Sequence, residues 1–282
     1  MILRDFIPSP QVVDFVQVYR IVHLVFDNTQ TVPFKAYPPR PEHCLAFYPF
    51  DRETVEYKST GKVIGNLPTV LYGQQTEVTH RHIGHEFLVV QVIFHPGALT
   101  SLLGIPASDL TNRYLHAEEL FTSQLREVNE QLHFAKDYGQ MIGIVENFVL
   151  SLAKKQRKKH RSLLPLFNFI TRQNEIPSID RLADLACLSS KQLERVFQQQ
   201  AGINPKLYLR IIRFDRAFRC KNRFEHYDWL RVSVECGYHD YQHLVRDYKL
   251  FTGLTPAAFH DVENKAPERR FGLSENYYSG EA

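Results

Sequence analysis

No stretch of the chain approaches the roughly 18 consecutive apolar residues that span a bilayer. The first residues also lack a basic segment followed by an apolar one, the mark of a secretory signal. Cysteine is scarce: Cys44, Cys187, Cys220 and Cys236 form no CxxC pair, which argues against a zinc site or a disulfide framework. None of the four stands in the Pro-Cys-His setting that a DNA-repair methyltransferase needs. Glycine-rich phosphate loops and Ser/His/Asp motifs are missing as well. These absences lead to the expectation of a cytoplasmic chain with reduced thiols, no membrane partner and no cofactor.

What is present is core material. The 282 residues are 44% hydrophobic and include 20 Phe and 14 Tyr, an ordinary globular balance at a length that suggests two domains. Charge is divided along the chain. Residues 1–150 hold 11 Lys/Arg against 16 Asp/Glu, a net of −5, whereas residues 161–260 hold 15 against 10, a net of +5. Between them, SLAKKQRKKH (151–160) carries five basic residues and no acidic one. An acidic half joined to a basic half suits a nucleic-acid binder with a separate second module, although a charged solvated surface would give the same totals.

Over residues 1–100 the runs Val16–Phe26, Cys44–Phe50 and Phe87–Phe94 are rich in β-branched and aromatic residues. Breaks at Asp27-Asn28, Pro38-Pro39 and Gly65-Asn66 separate them, which predicts a β-sandwich or barrel. Helical spacing then takes over: Leu99, Leu102 and Leu103; Leu120, Leu125, Val128 and Leu132; Met141, Ile144, Val145, Phe148, Val149 and Leu152. The stretch Gly143–Leu152 could be core or a dimer seam. The fold class expected is α+β, with residues 1–160 as the β-rich domain and its helices, 161–260 as an all-helical domain, and 261–282 as a flexible tail.

The helical domain contains two similar passages. In the first, Ser178 caps a helix with Leu182, Leu185 and Ala186 facing inward, and a short turn follows at Cys187-Leu188-Ser189. Ser189 or Ser190 then caps a helix ended by Gly202. Pro205 opens a long helix. In the second passage, Asp228–Cys236 leads through Gly237 and Tyr238-His239-Asp240 to a helix bearing Leu244, Tyr248 and Phe251, ended by Gly253. A helix-turn-helix lays its second helix in the major groove, so that helix needs one apolar face and one polar face. The outward-facing residues are Lys191, Gln192, Glu194, Arg195 and Gln198 in the first unit, and Tyr241, Gln242, Val245 and Arg246 in the second. Arg can bond bidentately to guanine, Gln to adenine, and an apolar group can touch a thymine methyl. Ser189, Ser190 and His239, near the helix starts, suit phosphate contacts. Periodicity alone leaves an ordinary helical bundle equally open.

The segment from about Ser178 to His260 closely resembles the DNA-binding domain of the AraC/XylS family. The resemblance rests on Leu182-Ala183, the Ser189–Phe197 pattern, Gly202 and Pro205, then Glu235-Cys236-Gly237-Tyr238, Arg246, Lys249, Gly253 and Pro256. It implies a double-stranded DNA partner and a long helix that holds two reading helices roughly one turn of DNA apart. It also assigns base contacts to the residues named above, Gln198 aside. Glu194 is left either to accept from cytosine or to support Arg195, and Arg246 either to read a base or to pair with Asp247 or Asp240. Cys187 stands where the family often has a turn glycine, Ser233 replaces an alanine, Tyr248 a Phe and His260 an Arg. The stretch Phe94–Ala98, with Tyr72–Thr76, resembles the cupin-like domain found ahead of such units. It implies binding of a small-molecule effector, with RNA polymerase and a second copy of the chain as further candidate partners.

His80, His82 and Glu86 form an HxH-x3-E cluster, the spacing of metal-binding cupins. It supports the alternative of a metal-dependent enzyme fused to a DNA-reading unit. The flanking glycines of such sites are only partly present, however, and a solvent-facing hairpin turning near Ile83-Gly84 would explain the residues as well.

Overall fold

A computed structural model of the chain describes residues 1–121, 123–155, 162–173 and 175–273. Its β-rich part holds two antiparallel sheets. The six-stranded one runs β1 (Ile2–Phe6), β2 (Val16–Val25), β9 (Glu86–Phe94), β4 (His43–Phe47), β7 (Thr69–Tyr72), β10 (Tyr114–His116). The four-stranded one runs β3 (Lys35–Tyr37), β8 (Thr79–His82), β5 (Thr54–Tyr57), β6 (Val63–Gly65). β9 explains the layering. Successive side chains of a strand point to opposite faces. Phe87, Val89 and Ile93 pack toward the smaller sheet, while Leu88, Val90, Val92 and Phe94 pack against helices. A strand covered on both faces loses polar alternation, hence its apolar run, interrupted only at the buried Gln91.

The helices on the outer face are α1 (Ala98–Leu103), α2 (Glu118–Phe121), α3 (Ser123–His133) and α4 (Tyr138–Lys155). α4 buries Met141, Val145, Phe148, Val149 and Leu152, and Phe148 meets Phe47 and Phe121 edge-on. Its apolar stripe is therefore core of this chain, one of the two readings open from sequence. Past Lys155, the basic run and the expected boundary near 160 lie outside the described residues.

The second part is helical: α5 (Leu164–Arg172), α6 (Ile179–Leu185), α7 (Ser190–Ala201), α8 (Pro205–Arg223), α9 (Trp229–Glu235), α10 (Tyr241–Thr252) and α11 (Pro256–Glu263). The fold is α+β, as expected. No helix among the described residues is long and apolar enough to cross a membrane.

Two expectations need correction here. Leu185 is 52% exposed and Ala183 takes its place in the core. On so short a helix the packed stripe is Leu182, Ala183 and Ala186, and Leu185 points away from it. The tail is also not free as far as residue 273. Residues 261–263 complete α11, and Pro267–Phe271 form a 3-10 turn. Phe271 packs on Phe26 with ring centres 4.9 Å apart. Lys35 of β3 is buried between Glu263, at 2.6 Å, and Glu268.

The two parts share packing as well as chain. Ala36 and Val78 of the β-rich part lie in the core of the helical part, and Phe271 and Leu273 pack against the core between the sheets.

Candidate nucleic-acid interface

Each helix-turn-helix unit is built by the same main-chain bonds. At the end of α6, Ala186 N–H donates to the Leu182 carbonyl and Leu188 N–H to that of Ala183. At the end of α9, Cys236 N–H donates to Val232 and Tyr238 N–H to Ser233. The bonding residues correspond at a shift of 50. Beyond the turn the shift is 51: Leu193 N–H donates to Ser189 and Leu244 to Asp240, while Gly202 donates to Gln198 and Gly253 to Lys249. The second turn is thus one residue longer.

The reversal itself needs a left-handed residue at the C′ position. Gly237 supplies it at φ 73° in the second unit, and Cys187 supplies it at φ 49° in the first. The family's glycine position is thus occupied here by a residue under backbone strain. Ser233, the other departure in this region, is fully buried and returns its hydroxyl to the Leu230 carbonyl at 2.7 Å.

The shift of 51 aligns the two reading helices. Arg195 matches Arg246, Glu194 matches Val245, and Lys191 matches Gln242. Lys191, Glu194, Arg195, Gln242 and Arg246 are exposed, with Tyr241 and Val245 half-buried. Leu193 and Phe197 on α7, and Leu244, Tyr248 and Phe251 on α10, anchor the opposite faces. No ion pair joins Glu194 to Arg195 among the described residues. Asp247, one of the partners considered for Arg246, points inward instead. Its carboxylate accepts from Arg210 at 2.7 Å and Arg213 at 3.1 Å, both on α8. This network ties α10 to the long helix. Sequence reading missed it, although Arg210 and Arg213 stand one helical turn apart.

The helix starts are more occupied than the sequence suggests. Ser189 is the N-cap of α7: its hydroxyl accepts from Gln192 N–H, and the Gln192 side-chain oxygen accepts from Ser189 N–H. That capping box engages the carbonyl of Gln192 and the hydroxyl of Ser189. Ser190 donates to Asp180 at 3.4 Å. Base or phosphate contacts by these residues would have to share those groups.

In the second unit Asp240 is the cap, taking His243 N–H at 2.7 Å, a bond that holds its carboxyl below the usual carboxylate range. The Nδ1 atoms of His239 and His243 each lie 3.6 Å from the other Asp240 oxygen. These three residues are a set whose donor atoms gather closely enough for a metal ion. All three are partly or wholly exposed, and the cap accounts for the approach of His243 to Asp240. His243 takes the place of Gln192, and sequence reading left it out because the extra turn residue hides the correspondence.

His80, His82 and Glu86 are not brought together. His80 and His82 lie on one face of β8, with Glu56 of β5 3.9 and 3.6 Å away, while Arg81 between them points into the space between the sheets. Glu86 starts β9, in the other sheet. The hairpin reading fails too, because residues 83–85 carry the chain from one sheet to the other.

That space holds a cavity of about 60 Å³. Its lining mixes apolar side chains, among them Leu24, Phe87 and Val89, with the charged Arg20, Lys35, Glu53 and Arg81. Pro267 and Glu268, from the C-terminal turn, complete the lining.

Two turn-linked helix pairs, each with a braced first helix and an exposed second one, define a DNA-reading unit of the helix-turn-helix class. Residues 182–261 match the model of a helix-turn-helix domain, and residues 4–116 match a domain of unknown function (DUF6597). The chain therefore carries a helix-turn-helix domain over residues 182–261. It is 25% identical over 141 residues to the HTH-type transcriptional regulator ArgR of Pseudomonas aeruginosa, a match covering 50% of this chain and 38% of that relative. Among solved structures, ToxT of Vibrio cholerae aligns with a TM-score of 0.46 at 10% identity, over 88% of this chain and 98% of the other. ToxT bound to an unsaturated fatty acid aligns at 0.45 and 11%, over 91% and 96%. The AraC-like transcriptional activator CuxR aligns at 0.28 and 12%, over 77% and 80%.

Proposed function

We propose that the protein is a sequence-specific transcription regulator that reads DNA with α7 and α10 and takes a small-molecule effector in its β-rich domain. The observation that carries the reading is the equivalence of Arg195 and Arg246: two exposed guanidiniums at one position of two helices built by the same bonds. Lys191, Glu194, Tyr241, Gln242 and Val245 complete the two base-facing surfaces, with Gln192 contributing its amide N–H₂ only. Ser189, Ser190 and His239 flank them on the phosphate side.

The cavity between the sheets is the candidate effector site. Its mixed lining suits a ligand with apolar and polar parts. Small-molecule sites are commonly about 300–1,000 Å³, so a ligand would have to part the wall that Pro267 and Glu268 form. Effector binding in one domain would thereby be felt in the other. RNA polymerase and a second copy of the chain are the protein partners this reading adds, and a second copy would need a face other than the apolar stripe of α4. Since His80 and His82 face Glu56 and not Glu86, the enzyme alternative loses its residue basis, and we read the protein as acting by binding in the cytoplasm.

The test is selection of binding sites from random duplexes with the full chain, followed by gel-shift titration of variants. Arg195→Ala and Arg246→Ala should each weaken the selected site by about 1–3 kcal/mol and relax base preference in one half-site. Undiminished affinity and preference in both variants would refute the assignment.

A further inference from the structure

Helix ends leave their last carbonyls without helical partners, and something must satisfy them when they are buried. At the end of α7 the β-rich domain does so. Gly97 N–H donates to the Gln200 carbonyl at 2.8 Å, the Thr100 hydroxyl to that of Gln199 at 3.1 Å, and the Thr111 hydroxyl to that of Gly202 at 2.8 Å. The His43 ring stands 3.2 Å from the Ala201 carbonyl.

At the end of α10, Val78 N–H donates to the Phe251 carbonyl at 2.9 Å. Phe251 is the counterpart of Gln200 at the shift of 51. The same carbonyl of each reading helix is therefore held by a main-chain N–H of the β-rich domain. The seam is also tight. A Cβ on Gly97 would stand 2.7 Å from the Gln200 side-chain oxygen, and one on Gly202 2.7 Å from the Thr111 hydroxyl. Both glycines have φ 86°.

These bonds grip the C-terminal ends of α7 and α10 and leave the N-terminal halves, with Arg195 and Arg246, exposed. We propose that the β-rich domain acts as a ruler for DNA reading. Gly97, Thr100 and Thr111, which hold α7, and Val78, which holds α10, are positioning residues that fix the two reading helices relative to each other and so set the half-site spacing the protein accepts. The long helix α8 joins the two units, and both pack on it, with Arg210 and Arg213 bonded to Asp247 of α10. The bonds from the β-rich domain add a second restraint, at the far ends of the reading helices. Val78 immediately precedes β8, whose Arg81 lines the cavity, so the α10 anchor and the candidate effector site lie three residues apart on one segment. The proposal rests on the DNA-reading assignment above.

The experiment uses the full chain and the site recovered by selection, rebuilt with zero, one or two base pairs added or removed between its half-sites. Binding is followed by fluorescence anisotropy at fixed salt. Wild-type protein should lose about tenfold or more in affinity for each changed spacing, the scale of a misplaced base contact. The double variant Thr100→Val, Thr111→Val should flatten that profile to within about threefold while keeping the base preference inside each half-site. Thr100→Ser with Thr111→Ser, which retains both hydroxyls, should restore the wild-type profile.

A spacing profile unchanged in the Val variant would overturn the proposal. If that variant does not fold, Gly97→Ala, which presses on Gln200 at one point of the seam, takes its place, with the same two outcomes deciding. A spacing-tolerant wild-type protein would overturn the ruler and leave DNA reading standing. Failure of the selection to enrich any sequence would instead count against the reading of α7 and α10.

Discussion

Cys187 carries a backbone cost that its counterpart Gly237 does not. A non-glycine residue in the left-handed region is disfavoured by roughly 1–2 kcal/mol. Glycine in its place would give back about 0.5–1 kcal/mol through the greater freedom of the unfolded chain. Cys187→Gly should therefore raise stability by about 0.5 kcal/mol, and Gly237→Ala should lower it by about 1 kcal/mol. Nothing stands within 4 Å of a Cβ built at Gly237, so the second effect isolates conformation from crowding. Urea titration of both variants measures them, and equal stabilities for Cys187→Gly and wild type would show that the turn has relaxed around the thiol. Cys187 is exposed, so the substitution sacrifices no buried packing. The departure was visible in the sequence only through the family pattern, which often has a turn glycine at that place, since a lone cysteine in a turn carries no signal of its φ.

At the scale of elements, most of the helical domain was legible because its punctuation is local. Ser178, Ser189, Asn204, Asp228, Asp240 and Thr255 each cap the helix that follows, and Gly202 and Gly253 end the two reading helices in left-handed geometry. Caps, stops and a 3.6-residue stripe depend on neighbours in sequence, so a sequence displays them. The sheets were less legible. β8 and β9 are adjacent in sequence yet belong to different sheets, and no local signal says so. The His80/His82/Glu86 spacing suffered from this, being a true pattern on strands that do not pair. The engagement of Gln192 was legible in principle, because Ser189-x-x-Gln192 has the form of a capping box. Ser189→Ala should cost about 1 kcal/mol of stability. It should also raise amide exchange in the first turn of α7 while leaving the first turn of α10 unchanged. Exchange rising equally in both helices would mean that the units do not respond separately to the loss of a cap.

At the scale of the whole molecule, the seam between the domains contains a group that ties stability to pH. His43, on β4, is fully enclosed against the Ala201 carbonyl, and burial pushes its pKa down from 6.5 to about 4, the bond to that carbonyl opposing only part of the shift. His23, His80, His95 and His260 are lowered as well, each chiefly by burial. A histidine whose folded pKa lies below its unfolded value binds fewer protons in the native state. Its contribution is intact above the unfolded pKa and is lost as pH falls toward the folded one. For His43 that window runs from about 6.5 down to about 4, and the loss across it is on the order of 3 kcal/mol. The charge that would appear on His43 would be buried in the seam beside α7, so acid should weaken that joint through the cost of burying it. Urea unfolding between about pH 7 and pH 4.5 should show wild-type stability falling steeply, and His43→Gln, which titrates nowhere in that range, should show a shallower fall. Parallel curves for the two proteins would mean that other groups, among them the remaining lowered histidines, carry the acid sensitivity. A shallower curve, together with spacing discrimination that survives to lower pH in the Gln variant, would place the acid-sensitive element at the joint between the β4 strand and α7.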